Sequence, residues 1–254
     1  MKILVPTKRV PDTDQKIVAA PDGSHVAIEH IPYVINPFDA IALEEAIRIS
    51  ENRSDPVEVV VVGIGAEGYD QQLRTALAMG ASRAIHVQCE QPLDPWNVAR
   101  FLWAIVEREQ PQIVLMGKQA VDDDASQTGQ FLAALLDWPQ ATFASRIELL
   151  SDEIRVDRET DHGIETIRLP LPAVVTADLR LNEPRYASLA SIMKARKKPL
   201  DVICSTELGV TVEPRVEVLR YRSTSVARRC ERVKSVVELV ERLTSVGAIS
   251  RNGN

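Results

Sequence analysis

Residues 57–87 read VEVVVVGIGAEGYDQQLRTALAMGASRAIHV. Two apolar runs, Val57 to Val62 and Ala84 to Val87, flank a helical segment that runs to Met79 and is stopped by Gly80. The runs are continuous rather than alternating, so each strand buries both faces, as in a parallel sheet covered by helices. The same unit extends in both directions. Upstream, Ile3 to Val5 is a buried strand, and Lys16–Ala19 with Val26–Ile28 form a hairpin around Pro21-Asp22-Gly23-Ser24. Asn36 then caps a helix with Pro37 in its first turn and an apolar face of Ile41, Leu43, Ala46, Ile47 and Ile49. Downstream, a helix from Pro95 to Arg108 leads to a strand at Ile113–Met116, then to Gly117 and a helix from Ser126 to Leu136. This alternation predicts an α/β fold built on a mostly parallel, doubly wound sheet.

After Trp138-Pro139 the period changes. Segments 143–150, 153–158 and 163–169 alternate apolar and polar residues and predict an antiparallel extension of the sheet. The polar, weakly periodic stretch 205–233, followed by an amphipathic helix from Lys234 to Val246, reads as a C-terminal arm that wraps a partner. The expected organisation is a domain over 1–204 and an arm over 205–254.

The 254 residues carry a formal net charge of −6, which argues against non-specific nucleic-acid binding. Aromatic content of 4% leaves no extended platform for stacking bases. Cys89, Cys204 and Cys230 are odd in number and far apart, which gives no disulfide framework and no zinc spacing and suits a reducing compartment. His25, His30, His86 and His162 are scattered, so no metal site is expected. Nowhere do about 18 apolar residues run together, and the first apolar run is too short for a signal peptide, so the chain reads as soluble and intracellular.

The most suggestive constellation is Gly117-Lys118-Gln119-Ala120-Val121-Asp122-Asp123-Asp124-Ala125-Ser126-Gln127-Thr128-Gly129-Gln130. It follows a buried strand and opens a helix, the place where an open α/β sheet gathers ligands. Two readings stand: Ser126, Thr128 and Gly129 present donors to a phosphate, or Asp122–Asp124 merely cap the helix and complement its dipole. Asn36-Pro37-Phe38-Asp39 and Gly63-Ile64-Gly65 converge on the same rim. The formal G-x-G-x-x-G at 63–68 follows the second strand instead of opening the fold, and no acidic ribose partner ends the next strand, so a standard NAD site is rejected. Pro6-Thr7-Lys8-Arg9-Val10-Pro11 lacks the glycine that a phosphate loop after the first strand would need.

Residues 177–199, ADLRLNEPRYASLASIMKARKKP, contain no nucleophile–base pair and no ligand cluster. Tyr186, Leu189, Ile192 and Met193 fall at helical spacing beside the basic run from Lys194 to Lys198. Either this segment packs on its own domain, with a solvated basic face, or it is a surface built to dock another protein.

Taken together, Lys8-Arg9-Val10, Asn36-Pro37-Phe38, Thr75–Ala81, Gly117-Lys118-Gln119-Ala120, Asp122-Asp123-Asp124, Gln127–Gln130, Asp137-Trp138-Pro139-Gln140 and the 177–198 run closely resemble the β subunit of electron-transfer flavoproteins, over essentially the whole chain. The resemblance implies a fold of the adenine-nucleotide α-hydrolase type. It also implies a heterodimer whose α subunit holds most of one FAD and is embraced by the C-terminal arm. Electrons then pass from acyl-CoA and related dehydrogenases to a membrane quinone oxidoreductase, and the β subunit is a carrier rather than a catalyst. Carried over by motif, AMP contacts fall at Pro6, Asn36, Pro37, Phe38, Asp39 and Ile64, and over Asp123, Asp124, Ala125, Ser126, Gln127, Thr128, Gly129 and Gln130, with Phe38 also near the flavin. Leu189 matches the anchor leucine that enters a pocket on the dehydrogenase, with Tyr186, Ile192, Met193 and Lys194 around it. Ala190-Ser191 follows this anchor where many relatives carry Pro-Asn. The Asp-rich loop resembles the AMP-binding branch; the alternative is a bifurcating branch with a second FAD in that site. The implied location is the cytoplasm in a bacterium and the mitochondrial matrix in a eukaryote.

Overall fold

Alternate residues of β1 (Lys2–Pro6) point to opposite sides of the sheet, as a strand requires. Ile3 and Val5 join one apolar cluster and Leu4 joins another. Both faces of this strand are therefore closed by helices, which is why its sequence does not alternate. The computed structural model describes residues 1–223 and 230–249.

Beyond β1 come β2 (Arg9–Pro11), the short antiparallel hairpin β3 (Val18–Ala19) and β4 (Val26–Ala27), and β5 (Tyr33–Ile35), which returns to pair with β2. Helix α1 (Pro37–Asn52) leads to β6 (Glu58–Gly65), α2 (Asp70–Met79), β7 (Arg83–Gln88), α3 (Pro95–Glu109), β8 (Ile113–Gly117) and α4 (Thr128–Leu136). The second half holds β9 (Gln140–Leu149), β10 (Glu153–Thr160), β11 (Gly163–Pro170), β12 (Ala173–Ala177), α5 (Leu189–Ala195), β13 (Leu200–Cys204) and α6 (Val236–Ser245). The main sheet has nine strands in the order β11-β10-β9-β12-β8-β1-β6-β7-β13. From β9 to β13 every neighbouring pair is parallel; the antiparallel pairs are β9–β10 and β10–β11, so β10 alone is reversed. Helices α1 and α2 supply the cluster on one face, and α3 and α4 the cluster on the other. The doubly wound sheet with its antiparallel extension is thus the observed architecture.

The expected meander is present, and β9 joins it to the sheet by pairing parallel to β12, since the chain reaches it through α4. Strand β13 had no periodic signal: it is an edge strand in which only Ile203 is buried, so its sequence carries little apolar pattern. Gly80 does end α2, and its backbone lies against Ile47, where a Cβ would come within 3.1 Å of the side chain.

The strand order reverses beside β1. From β1 the chain winds through β6 to β7 on one side, then returns to β8 on the other. A crevice outside the carboxyl ends of β1, β6 and β8 follows from that reversal.

The C-terminal stretch was expected to leave the domain at residue 204. Its first part instead stays on the α/β body. Leu208, Val210 and Val212 pack against the α3–α4 cluster. Asn97 Nδ2 donates to the Glu213 carbonyl at 2.9 Å, and the Arg215 guanidinium lies 4.5 Å from the Trp96 ring centroid. Farther on, Tyr221 N–H donates to the Gly23 carbonyl at 2.9 Å, tying the stretch to the β3–β4 hairpin. Helix α6 is capped by Ser235, whose Oγ accepts the Glu238 N–H, and none of its residues is buried. Its apolar Val236, Val237, Leu239 and Val240 are exposed on this chain. The remaining arm residues, 224–229 and 250–254, lie outside the described part.

Candidate functional site

The crevice at the switch point is a cavity of about 240 Å³. The end of β1 contributes Pro6, Thr7 and Lys8; the end of β6 contributes Ile64 and Gly65; the end of β8 contributes Met116 and Gly117. Of the residues expected at a nucleotide, Pro6, Asn36, Asp39, Ile64, Asp123, Ala125, Ser126, Gln127, Thr128 and Gly129 line it. Leu93, Val98 and Leu102 form an apolar wall from α3 and the loop before it.

Four expected contacts stand elsewhere. Pro37 is the first residue of α1, and the Phe38 side chain is buried, with Lys118 Nζ 5.4 Å from its ring centroid. Asp124 is an exposed residue that accepts from Gln119 Nε2 at 2.7 Å. Gln130 lies in the first turn of α4, and its buried Oε1 has no partner among the described residues.

Two sequence-derived roles are corrected by the geometry. Asn36 occupies the N-cap position of α1, but its side chain does not cap. It reaches across the crevice: Nδ2 donates to the Gln119 carbonyl at 2.8 Å and Oδ1 accepts the Val121 N–H at 3.2 Å. Asp122–Asp124 do not cap α4 either. The N-cap is Gln127, without a side-chain bond. Asp122 and Asp123 instead accept from Lys8 Nζ at 2.8 and 2.9 Å. Burial lowers the Lys8 pKa, but these two carboxylates outweigh it and hold the ammonium above its ordinary range. Asn36 and Lys8 therefore grip the 118–127 loop from the strand side. Asp124 and Ser126 complete its curve in the left-handed region, at φ of 48° and 53°.

The consequence is an open helix end. The first-turn N–H groups of α4 have no acceptor within the helix, the N-cap residue Gln127 offers them no side-chain bond, and the helix dipole favours an anion there. Ser126 Oγ is already committed to the Lys118 carbonyl at 3.0 Å. Gly129 lets this end approach the sheet, since a Cβ there would lie 2.6 Å from Thr176 Cγ2. Neither nearby lysine is a free cation: Lys118 Nζ pairs with Asp178 at 2.7 Å, and Lys8 is held as described. A ligand anion here meets chiefly backbone donors.

Gly63 and Gly65 have a packing explanation. A Cβ on Gly63 would lie 2.5 Å from the Tyr69 ring, and one on Gly65 would lie 2.7 Å from its opposite edge. The ring between them stacks on His86 with centroids 5.4 Å apart. These glycines make room for an aromatic side chain and form no dinucleotide fingerprint.

Asp39 joins two strand ends. Its carboxylate accepts from the Lys8 N–H at 2.7 Å and the Gly117 N–H at 3.0 Å. Burial outweighs these donors and pushes its pKa from 3.8 up to about 7. Between those values the folded chain holds a proton that the unfolded chain has released, so this group's stabilising contribution is lost as pH rises through the window. In Asp39→Asn the slope vanishes. Urea midpoints measured from pH 5 to 8 should show wild type losing ground to the variant up to about pH 7. A difference that stays flat, or grows with pH, contradicts the assignment.

Lys8, Tyr69 and the apolar wall were not anticipated as lining residues. The carboxylate partners of Lys8 are more than 110 positions away, so no local pattern signals its place in the site. Large side chains of the 177–198 run lie in solvent. Tyr186 is 99% exposed, Leu189 77%, Met193 53% and Ile192 42%. Lys194 is exposed too, and only Ala195 in α5 is buried, so these side chains do not pack on their own domain. Lys198 departs from the solvated basic face: its Nζ donates to the Leu77 and Ala81 carbonyls at the end of α2.

Fold and crevice together define a doubly wound α/β protein with an open cavity at its switch point. A family model described as the electron transfer flavoprotein domain matches residues 24–208. The chain is 48% identical over 249 residues to the electron transfer flavoprotein subunit beta of Bradyrhizobium diazoefficiens, covering 98% of this chain and 100% of the relative. The human electron transfer flavoprotein subunit beta is 46% identical over 253 residues, covering 98% of this chain and 99% of the relative. The Arabidopsis thaliana protein named electron transfer flavoprotein subunit beta, mitochondrial, is 46% identical over 245 residues, or 96% of this chain and 97% of the relative. This chain belongs to the electron transfer flavoprotein β-subunit family. It is an electron-carrier component, not an enzyme with a reaction of its own. Among the described residues no helix is long and apolar enough to cross a membrane.

Proposed function

We propose that the chain holds AMP as a structural ligand and pairs with an α subunit carrying most of one FAD. In this reading it presents residues 186–194 to acyl-CoA dehydrogenase-type flavoenzymes. The observation that carries it is the uncapped N-terminus of α4 opening onto the switch-point cavity. The donor set fits a single phosphate, since backbone N–H groups and the Thr128 hydroxyl serve it, while the apolar wall of Leu93, Val98 and Leu102 suits an adenine face. A flavin dinucleotide contains the same AMP moiety plus the whole flavin half, which would have to extend past the cavity rim. That favours the AMP-type carrier over a bifurcating one. FAD, when bound, supplies the electron-carrying chemistry. This chain's own residues bind, orient and dock.

The exposed apolar face of α6 supports the arm as the surface that grips the α subunit, and the quinone oxidoreductase then reoxidises the shared flavin. The expected location is the cytoplasm of a bacterium or the matrix of a mitochondrion.

Coexpression with a tagged α partner tests the reading. The two chains should elute as a one-to-one complex with flavin absorbance, and an acyl-CoA dehydrogenase with its substrate should bleach that flavin. Failure of the chains to copurify would sink the proposal. In the same complex Lys8→Met unlatches the 118–127 loop. Exposed ion pairs are worth about 1 kcal/mol at most, so AMP release should speed up roughly fivefold. An unchanged release rate, followed by displacement with labelled AMP, would mean that the latch does not gate the site.

A further inference from the structure

The arch that carries Leu189 has little structure of its own. Helix α5 is seven residues long, and an isolated helix of that size is unstable in water. Inside the arch the bonds are local, such as Ser188 Oγ accepting the Ser191 N–H at 3.1 Å. Its shape is set by two roots on neighbouring helices.

At the first root Arg185 spans two carboxylates of α1. Its Nε and Nη2 donate to Glu44 Oε2 and Oε1 at 2.8 and 3.1 Å. Nη1 and Nη2 donate to Glu51 Oε1 and Oε2 at 2.6 and 2.8 Å. The Arg185 N–H adds a bond to Glu44 Oε2 at 3.2 Å. The Glu44 side chain is only 3% exposed and also accepts from Arg48 Nε at 2.7 Å. At the second root Arg74 Nη1 donates to the Ala195 and Lys198 carbonyls at 2.9 and 2.8 Å, and Lys198 Nζ closes the end of α2. Between these roots Tyr186 and Leu189 stand out into solvent.

We propose that the fork from Arg185 to Glu44 and Glu51 is the positioning device of the docking arch, holding residues 186–194 in binding shape before any dehydrogenase arrives. This rests on the docking reading above. A segment ordered in advance binds more tightly because its ordering cost is not charged to the encounter. A planar guanidinium can hold two carboxylates at once and fix the backbone between them, whereas a lysine ammonium provides the charge without the fork.

The test uses the purified heterodimer and the acyl-CoA dehydrogenase of the same organism. In Arg185→Gln, amide exchange across 186–194 should accelerate about tenfold while flavin content and exchange in β1, β6 and β8 stay as in wild type. The concentration that half-saturates the dehydrogenase should rise about tenfold at unchanged kcat. Arg185→Lys should fall between the two. Glu51→Gln removes only the exposed half of the fork and should shift exchange in the same direction by less. It covers the case in which Arg185→Gln unfolds α1 by leaving Glu44 underpaired. Unchanged exchange across 186–194 in the folded variants overturns the proposal. Impaired kinetics in Leu189→Ala beside normal kinetics in Arg185→Gln also overturns it. Normal kinetics in Leu189→Ala would instead remove the docking reading, and exchange alone would then decide whether the fork orders the arch.

Discussion

Leu189→Ala is expected to raise the concentration of the heterodimer that half-saturates an acyl-CoA dehydrogenase by roughly thirtyfold. The figure follows from truncating a buried interface anchor at about 2 kcal/mol, with each 1.4 kcal/mol worth a factor of ten. In the chain itself Leu189 is 77% exposed, so its loss removes no packing that holds the fold together. A surface substitution of that kind shifts stability by about 0.5 kcal/mol or less. Melting temperature and flavin content should therefore match wild type while steady-state reduction of the flavin by the dehydrogenase slows. Normal kinetics, or a variant that fails to fold, would contradict the docking role.

Gly117→Ala should have the largest effect on the fold. Gly117 ends β8 against the first turn of α1, where an added Cβ would lie 2.6 Å from Phe38 Cβ and 2.8 Å from the Phe38 carbonyl carbon. It would also press on Asp39 Oδ1, the atom that accepts the Gly117 N–H. These neighbours belong to the helix backbone and a buried carboxyl, so they have no free rotamer into which to retreat. Overpacking of this kind costs about 1–3 kcal/mol, and a disturbed buried hydrogen bond adds about 1–3. With each kilocalorie worth roughly 2–4 °C in a chain of this size, a combined loss of about 4 kcal/mol should lower melting by about 8–16 °C. The crevice should lose the proposed nucleotide as well, since Asp39 holds both of its strand ends. A melting point within a degree or two of wild type would show that α1 yields more easily than its contacts imply.

The parallel core was legible because buried strands such as Val59–Val62 and helices such as α3 have unmistakable periods, each bounded by proline, glycine or an Asx cap. Edge elements were not. β13 and the β2–β5 pair are short and half-exposed, so their sequences carry little pattern for an eye trained on burial. The candidate site was legible wherever it rests on strand ends, as at Pro6, Ile64 and Gly117. It was misread wherever it depends on pairing across long sequence separations. Asn36 looked like a cap yet binds the backbone of residues 119 and 121, and helix capping, one of two readings of the aspartates at 122 and 123, gives way to their hold on Lys8. Such roles are set by the closing of the sheet at its switch point, which no local window contains. Arg185 is the same case: its two carboxylates lie well over 100 residues away.

What occupies the crevice is read out directly by one measurement. The native heterodimer, purified without added nucleotide, is denatured, and the released small molecules are counted by mass spectrometry against protein. One AMP and one FAD per heterodimer is the predicted result. Two FAD, or FAD with no adenine mononucleotide, would contradict it.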